Sequence, residues 1–314
     1  MTDTFSLVHL SDVHLGPISG FHPRYWNVKR TMGFVNWHRA RRDVHRRSVA
    51  DLIAADALAQ GPDHICVTGD LANLGLPGEY AAALSWLEAL GTPDRVSVVP
   101  GNHDIYTGFS SHDACLEAWG AYMQNSESWT DTATVRFPYV QIKGPVALIG
   151  LNSAVPTPPF VASGRLGPGQ LQQCEAALQR LGDAGFIRVV MVHHPPLPGQ
   201  APPRRALSDA TEFAGMLDRA GAELVLHGHN HRAMLAWPTH SGRAVPVLGV
   251  GSASAVRAHK AEGLAQYHFV RLERDGDNLV IHCETRGFAA PGGEIVTLER
   301  RDLSAMAPSA TGPA

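Results

Sequence analysis

The chain has 314 residues, of which 44% are hydrophobic and 18% charged, and its formal net charge is −3. That balance excludes a wholly disordered chain and leaves ample apolar surface for a core. The slightly negative charge excludes a global electrostatic pull toward nucleic acid or an anionic membrane, so any basic patch must be local.

Taken from the N-terminus, short apolar runs recur at Leu7–Leu10, His64–Thr68, Val96–Val99, Val146–Leu151, Val189–Val192 and Leu224–Leu226, each ending in a polar, glycine-rich or histidine-rich loop. Such runs read as buried strands. Between them lie helically spaced apolar sets: Val49, Leu52, Ile53 and Ala57; Tyr80, Leu84, Leu87 and Leu90; Leu171, Cys174, Leu178 and Leu181; Phe213, Met216, Leu217 and Ala220. The alternation predicts an α/β architecture. After His231 the pattern changes to strand-like pieces, Ala233–Trp237, Val245–Val250, Tyr267–Leu272 and Leu279–Glu284, with turns at Ser241-Gly242 and Asp275-Gly276. These are expected to form a second, mostly antiparallel sheet. One domain is expected over 1–304, and the small, Pro/Gly/Ser/Thr-containing segment 305–314 is expected to be a disordered tail.

The four cysteines, Cys66, Cys115, Cys174 and Cys283, stand singly and are expected to be buried free thiols. The first ten residues lack a basic segment followed by an apolar one, and no later stretch reaches ~18 apolar residues, so a cytoplasmic protein is expected. Seventeen histidines are many for this length and direct attention to metal ligands.

The loops after the predicted strands carry, in order, Asp12-Val13-His14, Gly69-Asp70, Gly101-Asn102-His103-Asp104, His193-His194-Pro195 and Gly228-His229-Asn230-His231. In open α/β sheets the carboxyl ends of strands gather at one rim, so five separate turns can converge there. Two divalent ions held close together need a bridging carboxylate and otherwise mixed imidazole and oxygen ligands. Asp70 is the natural bridge. Any one of these motifs alone would pass as a turn or a structural histidine; the ordered set does not.

This set, D-x-H, G-D, G-N-H-D, H-x-P and G-H-x-H from Asp12 to His231, resembles the calcineurin-like metallophosphoesterase family. The resemblance implies a four-layer αββα sandwich with two mixed β-sheets and the metal centre at the strand C-terminal rim. It implies one metal held by Asp12, His14, Asp70 and His231, and another held by Asp70, Asn102, His193 and His229. His103 would face the phosphate, with Asp104 orienting it; His194 is left without a role. A hydroxide bridging the two ions would attack phosphorus in line, and His103 would stabilise or protonate the leaving oxygen. The mixed N/O ligands suit Mn, Fe, Zn or Co.

An insertion at about 20–47 interleaves basic residues with Tyr25, Trp26, Phe34 and Trp37. It reads either as a cap offering cations and aromatic surface to an amphiphilic anion, with peripheral contact to the inner face of a membrane, or as a helix whose aromatics pack inward while its arginines stay solvated. Nucleic acid is a poorer fit, because the basic residues are concentrated in this one stretch and the global charge is negative. The Pro-rich loop Pro195–Ser208, with Arg204 and Arg205, is either a pocket rim or a rigid surface loop, and Gly249–Ser254 is assigned no chemistry.

Within the family, the wording around His103 and His193 is most similar to bacterial class III cyclic nucleotide and glycerophosphodiester phosphodiesterases. Hydrolysis of a small phosphodiester is therefore the expected function. Two alternatives stand beside it: a pyrophosphatase on a lipid-linked nucleotide sugar, of the UDP-2,3-diacylglucosamine hydrolase type, and a non-catalytic scaffold with a vestigial metal site.

Overall fold

Burial along one short strand shows how the layers arise. In Val146–Gly150, Val146 and Leu148 belong to one apolar cluster, while Ala147 and Ile149 belong to another. The strand is therefore covered on both faces, which requires a layer on each side.

The computed structural model describes residues 3–18, 22–126, 129, 137–240, 243–258, 261–276 and 278–304. In chain order the elements are β1 (Asp3–Leu10), α1 (Val28–Asn36), α2 (Arg47–Ala59), β2 (His64–Val67), α3 (Pro77–Leu90), β3 (Val96–Val98), α4 (Gly108–Trp119), β4 (Tyr139–Lys143), β5 (Val146–Gly150), α5 (Pro168–Asp183), β6 (Ile187–Met191) and α6 (Ala210–Ala220). They continue as β7 (Leu224–His227), β8 (Met234–Ala236), β9 (Thr239–His240), β10 (Arg243–Ala244), β11 (Val247–Gly249), β12 (Gln266–Asp275), β13 (Asn278–Phe288) and β14 (Ile295–Asp302). The expected tail at 305–314, the Ser241-Gly242 turn and the first two residues of the insertion lie outside the described residues.

Two six-stranded mixed sheets form, in the orders β14-β13-β12-β1-β2-β3 and β4-β5-β6-β7-β11-β8. Helices α2, α3 and α4 contribute Ile53, Trp86 and Trp119 to the apolar cluster that also holds the first sheet and the inner face of the second. Helices α5 and α6 cover the second sheet's outer face through Leu178, Phe213 and Leu217. The αββα sandwich implied by the motifs is the observed fold. All four cysteines are buried and free. Among the described residues no helix is long and apolar enough to cross a membrane.

The strands expected after His231 do not make one sheet of their own; among the described residues only the two-residue β9 and β10 pair by themselves. Strand β12 pairs antiparallel with β1 from Asp3↔Arg274 to His9↔His268 and carries β13 and β14 outward, so the C-terminal meander extends the first sheet. Strand β11 runs parallel to β7 and, with β8, completes the second. Each parallel core leaves an edge of unpaired backbone groups, and the later strands cover both edges. Sequence periodicity records burial but not which edge a strand joins.

The parallel strands β1, β2 and β3 of one sheet and β5, β6, β7 and β11 of the other all end at one rim. The insertion lies over it. Asn27 caps α1 by accepting the Arg30 N–H at 2.9 Å, and the helix then widens into a π turn over Trp37–Arg41, with Arg42 N–H donating to Trp37 O. Such turns redirect the side chains that follow. Gly33 lets α1 lie close to the rim: a Cβ there would sit 2.3 Å from the Tyr106 hydroxyl and 2.7 Å from Leu74 Cδ2.

Candidate metal centre

Local backbone conformation singles out the rim before any side chain is considered. Among the described non-glycine residues, positive φ occurs at Asp12 (53°), His14 (43°), Asp70 (56°), His229 (69°), His231 (52°) and Phe160 (63°). Five of the six are motif residues expected to bind metal. A non-glycine residue in this region costs about 1–3 kcal/mol and persists where the surroundings impose it. Gly101 is required for a different reason, since a Cβ there would lie 2.2 Å from Asp70 Oδ1.

The motif side chains fall into two groups sharing Asp70. On one side, His14 Nε2 lies 3.2 Å from His231 Nε2, 3.8 Å from Asp70 Oδ2 and 3.9 Å from Asp12 Oδ1, and His231 Nε2 is 3.2 Å from Asp12 Oδ1. On the other, His193 Nε2 lies 3.2 Å from both Asn102 Oδ1 and His229 Nδ1 and 3.4 Å from Asp70 Oδ2. Oxygen Oδ2 of Asp70 thus faces both groups, while its Oδ1 accepts the His103 N–H at 2.7 Å. All seven residues are buried.

These contacts pair acceptors with acceptors. His14 donates Nδ1–H to Ala72 O and His193 donates Nδ1–H to Thr68 O, so in the neutral rings both Nε2 atoms carry lone pairs aimed at other lone pairs. Oxygen Oδ1 of Asp12 is buried with no hydrogen-bond partner. Such a cluster calls for positive charge at its centre. Without a metal ion a proton fills that need in part: burial disfavours the charged His193 ring, but Asp70 and then Asp12 outweigh it and push its pKa up to about 9. The donor set, with its carboxylate common to both groups, fits a pair of divalent cations.

His103 and Asp104 depart from their expected relationship. Asp104 does not orient the His103 ring; its Oδ2 accepts N–H from Asp70 and Gly101, each at 2.8 Å, and its Oδ1 accepts N–H from Ala72 at 2.8 Å. It ties the β2 and β3 loops together. The His103 ring is held instead by Asn73 O, which accepts Nδ1–H at 2.6 Å, and by Arg41, whose Nη1 donates to Nε2 at 2.8 Å. Burial and the Arg41 charge hold the His103 pKa down to about 4.

Several residues here had no place among the motifs. Arg41 reaches the centre from the π turn, and among the described residues no carboxylate lies within ion-pair distance of it. His45 packs on His14 and His231, with ring centroids 4.8 and 5.3 Å apart. Glu262 faces His231 Nδ1 at 3.4 Å. Only the basic character of the insertion hinted at Arg41, and nothing in the spacing distinguished His45. His194 has both ring nitrogens in use, with Nδ1 2.8 Å from Ser153 Oγ and Nε2 3.2 Å from Ala162 O, so it supports the wall.

A cavity of about 670 Å³ opens above the centre, with Asp70, Asn102, His103, His229 and His231 at its floor. Lys29, Arg39 and Arg41 of the insertion line it together with Arg205 and Arg257, and Met32, Tyr106 and Phe160 add apolar surface. Of the Pro-rich loop, Arg205 reaches the cavity and donates Nη2–H to His229 O at 3.0 Å, while Arg204 is exposed.

A family model described as calcineurin-like phosphoesterase matches residues 5–233. A probable cyclic nucleotide phosphodiesterase of Synechococcus sp. is 27% identical over 220 residues, 69% of this chain and 74% of that protein. A glycerophosphodiester phosphodiesterase of Enterobacter lignolyticus is 29% identical over 231 residues, 72% of this chain and 70% of that protein. A dimetal phosphatase from Danio rerio shares the fold, with a TM-score of 0.60 at 14% identity over 96% of this chain and 99% of that one.

Proposed function

The chain belongs to the calcineurin-like phosphoesterase family and is a phosphoester hydrolase, and from that premise we propose that it hydrolyses small phosphodiesters at the Asp70-centred rim. The observation that carries the diester reading is the cavity: it adjoins the metal-binding groups and offers cationic and apolar walls, with room for an organic group on either side of a phosphate. The names of the two relatives point the same way.

In this reading Asp12, His14, Asp70 and His231 hold one cation, and Asp70, Asn102, His193 and His229 hold the other. When bound, the pair supplies Lewis acidity toward the phosphate and ionises water near neutral pH. The chain's own residues do the rest. Asp104 fixes the loops that present Asp70 and Asn102. Arg41 offers N–H donors and a positive charge to the phosphate oxygens. His103, neutral and held by Asn73 O, turns its Nε2 lone pair toward the same space, where it can take up the proton released by the attacking water and return it to the leaving oxygen. Lys29 donates to Thr157 O and Oγ1 at 2.8 and 2.9 Å, joining the insertion to the opposite wall.

A second reading has its own observation. Trp26, Val28, Met32 and Val35 of the insertion are exposed, at 58%, 69%, 37% and 42%, close to the cationic cavity. Apolar side chains beside cations suit an amphiphilic anion such as a lipid-linked nucleotide sugar. The insertion thus divides between the two expected roles: Arg30 turns inward to Leu74 O and Gly75 O, and Phe34 packs on Leu74, Leu76 and Tyr106, while Lys29 and Arg41 line the cavity.

The test is turnover by Mn²⁺-loaded protein of 3′,5′-cyclic AMP, a glycerophosphodiester and UDP-diacylglucosamine in detergent, with His103→Ala as the blank. Faster cleavage of the small diesters is the expected result. Faster cleavage of the lipid substrate would replace it with the second reading.

A further inference from the structure

His45 comes from the insertion, outside every metal-binding motif, yet one nitrogen from each of His14, His45 and His231 lies within 4.8 Å of the others. We infer that His45 is a further protein ligand of the cation held by Asp12, His14, Asp70 and His231, an inference that rests on the assignment of that cation position above.

The hydrogen-bond chain behind the ring decides which nitrogen is available. Ser252 Oγ–H donates to Asp12 O at 2.7 Å, so toward its other neighbours Ser252 Oγ can only accept. It accepts N–H from Ser254 at 3.2 Å, and Ser254 Oγ lies 3.3 Å away. Ser254 Oγ is in turn 2.9 Å from His45 Nδ1. If Ser254 Oγ–H were spent on His45 Nδ1, no hydrogen would remain for the contact between the two serines. His45 Nδ1 also lies 3.2 Å from Ser252 Oγ, which on this side can only accept, so Nδ1 carries the hydrogen and the chain runs from His45 Nδ1–H to Ser254 Oγ, from Ser254 Oγ–H to Ser252 Oγ, and from Ser252 Oγ–H to Asp12 O. Protonated at Nδ1, the neutral ring keeps its lone pair on Nε2, which makes no hydrogen bond among the described residues.

The same pattern holds for two residues already assigned to the centre. His14 and His193 each commit Nδ1–H to a backbone carbonyl, leaving Nε2 for the cation. Metal-binding histidines characteristically fix their second nitrogen in this way, which sets both tautomer and ring orientation. For His45 the serine relay does the fixing, and it ends on the carbonyl of Asp12.

The backbone is fixed as well. His45 forms an antiparallel bridge with Ala255, flanked by Val256 N–H to Val44 O at 2.8 Å and Arg46 N–H to Ser254 O at 3.0 Å. His45 is only 5% exposed, and it borders the cavity together with His231. The loop after β11, which has no chemistry readable in its sequence, therefore positions a ligand delivered by the insertion. With His45 included, this cation has five protein ligands and the other has four, so the two positions differ in affinity.

The test uses Co²⁺-loaded full-length protein and needs no substrate. Each ligating neutral imidazole retains one exchangeable N–H whose proton resonance is strongly displaced by the paramagnetic ion. Five displaced N–H resonances are expected, from His14, His45, His193, His229 and His231. His45→Ala should show four, still bind two equivalents of metal, and bind one of them at least about tenfold more weakly. His45→Asn serves if the alanine protein fails to fold, and Ser254→Ala should shift the His45 resonance alone. Four resonances in the wild type that His45→Ala leaves unchanged, with metal affinity unaltered, would overturn the inference while leaving the centre intact. A wild-type protein that takes up no metal would overturn the centre and the inference together.

Discussion

Arg41 Nη1 lies 2.8 Å from His103 Nε2, although the two residues are 62 positions apart in the chain. The guanidinium can only donate, so it holds the imidazole neutral in this geometry and stands where a phosphate oxygen would have to pass. It also links the insertion to the residue expected to handle the leaving group.

Removal of that guanidinium should impair turnover without emptying the metal centre. Arg41→Ala is expected to lower kcat/KM by about 10²-fold or more, the range seen when a preorganised donor to a developing oxyanion is lost. Metal content by elemental analysis should stay at the wild-type value. Arg41→Lys keeps the charge but not the fork of donors and should recover only part of the activity. Unchanged kinetics in the alanine protein would remove Arg41 from the phosphate site.

Asp104 offers a sharper distinction. If it held His103, its loss would act chiefly on the pH–rate profile. Since its carboxylate accepts three backbone N–H groups from Asp70, Ala72 and Gly101, Asp104→Asn should instead cost stability and metal affinity together. The expected loss is about 2–3 kcal/mol in denaturant unfolding of the metal-free protein, typical of buried charge-assisted hydrogen bonds. An unchanged midpoint would contradict this role.

Metal stoichiometry tests the shared carboxylate. Wild-type protein is expected to bind two equivalents of Mn²⁺ by equilibrium dialysis, Asn102→Ala one, and Asp70→Ala fewer than one, because Asp70 Oδ2 faces both groups while Asn102 Oδ1 faces one. Saturation should also raise the melting temperature, by mass action on the folded state. One lost equivalent in Asp70→Ala would assign it to a single ion.

A stability-versus-pH prediction comes from histidines away from the centre. Ser97 donates to Gln141 Oε1 at 2.6 Å, so His64 donates Nε2–H to Ser97 Oγ at 2.7 Å; burial, followed by the Lys143 charge, lowers its pKa to about 3. Burial likewise lowers His268 to about 4. Unfolded, each binds a proton below about pH 6.5. The unfolded state then holds more protons than the folded state, so stability is fully present above about pH 6.5 and falls as the pH drops toward 4. Calorimetry from pH 7.5 to 5 should show a falling melting temperature, with a shallower slope in His64→Gln. Equal slopes would mean that His64 is not held neutral by the fold.

How much of this was legible beforehand follows from what each residue depends on. The motif residues sit directly after strands, so their convergence depends on strand ends meeting at a rim, and short apolar runs reveal strand ends. The destination of the C-terminal strands was not legible, because alternation in β12 fits either sheet and pairing with β1 is set by which edge stands open. The error over Asp104 had the same origin. Adjacency to His103 in the chain suggested contact between the side chains, but the turn at Gly101 points the carboxylate back toward the β2 loop.

By itself the sequence determined the α/β class, the seven metal-binding candidates and the chemistry they can support, because those features are written in residue type and local order. Only the tertiary structure decided that Arg41 touches His103, that Asn73 rather than Asp104 holds that ring, and that His45 reaches His14 and His231. The Arg41 and His45 contacts depend on a π turn and on a bridge between the insertion and the loop after β11, the latter pairing residues more than 200 positions apart. Contacts over such separations are fixed by packing and backbone pairing, which leave no periodic trace in the sequence.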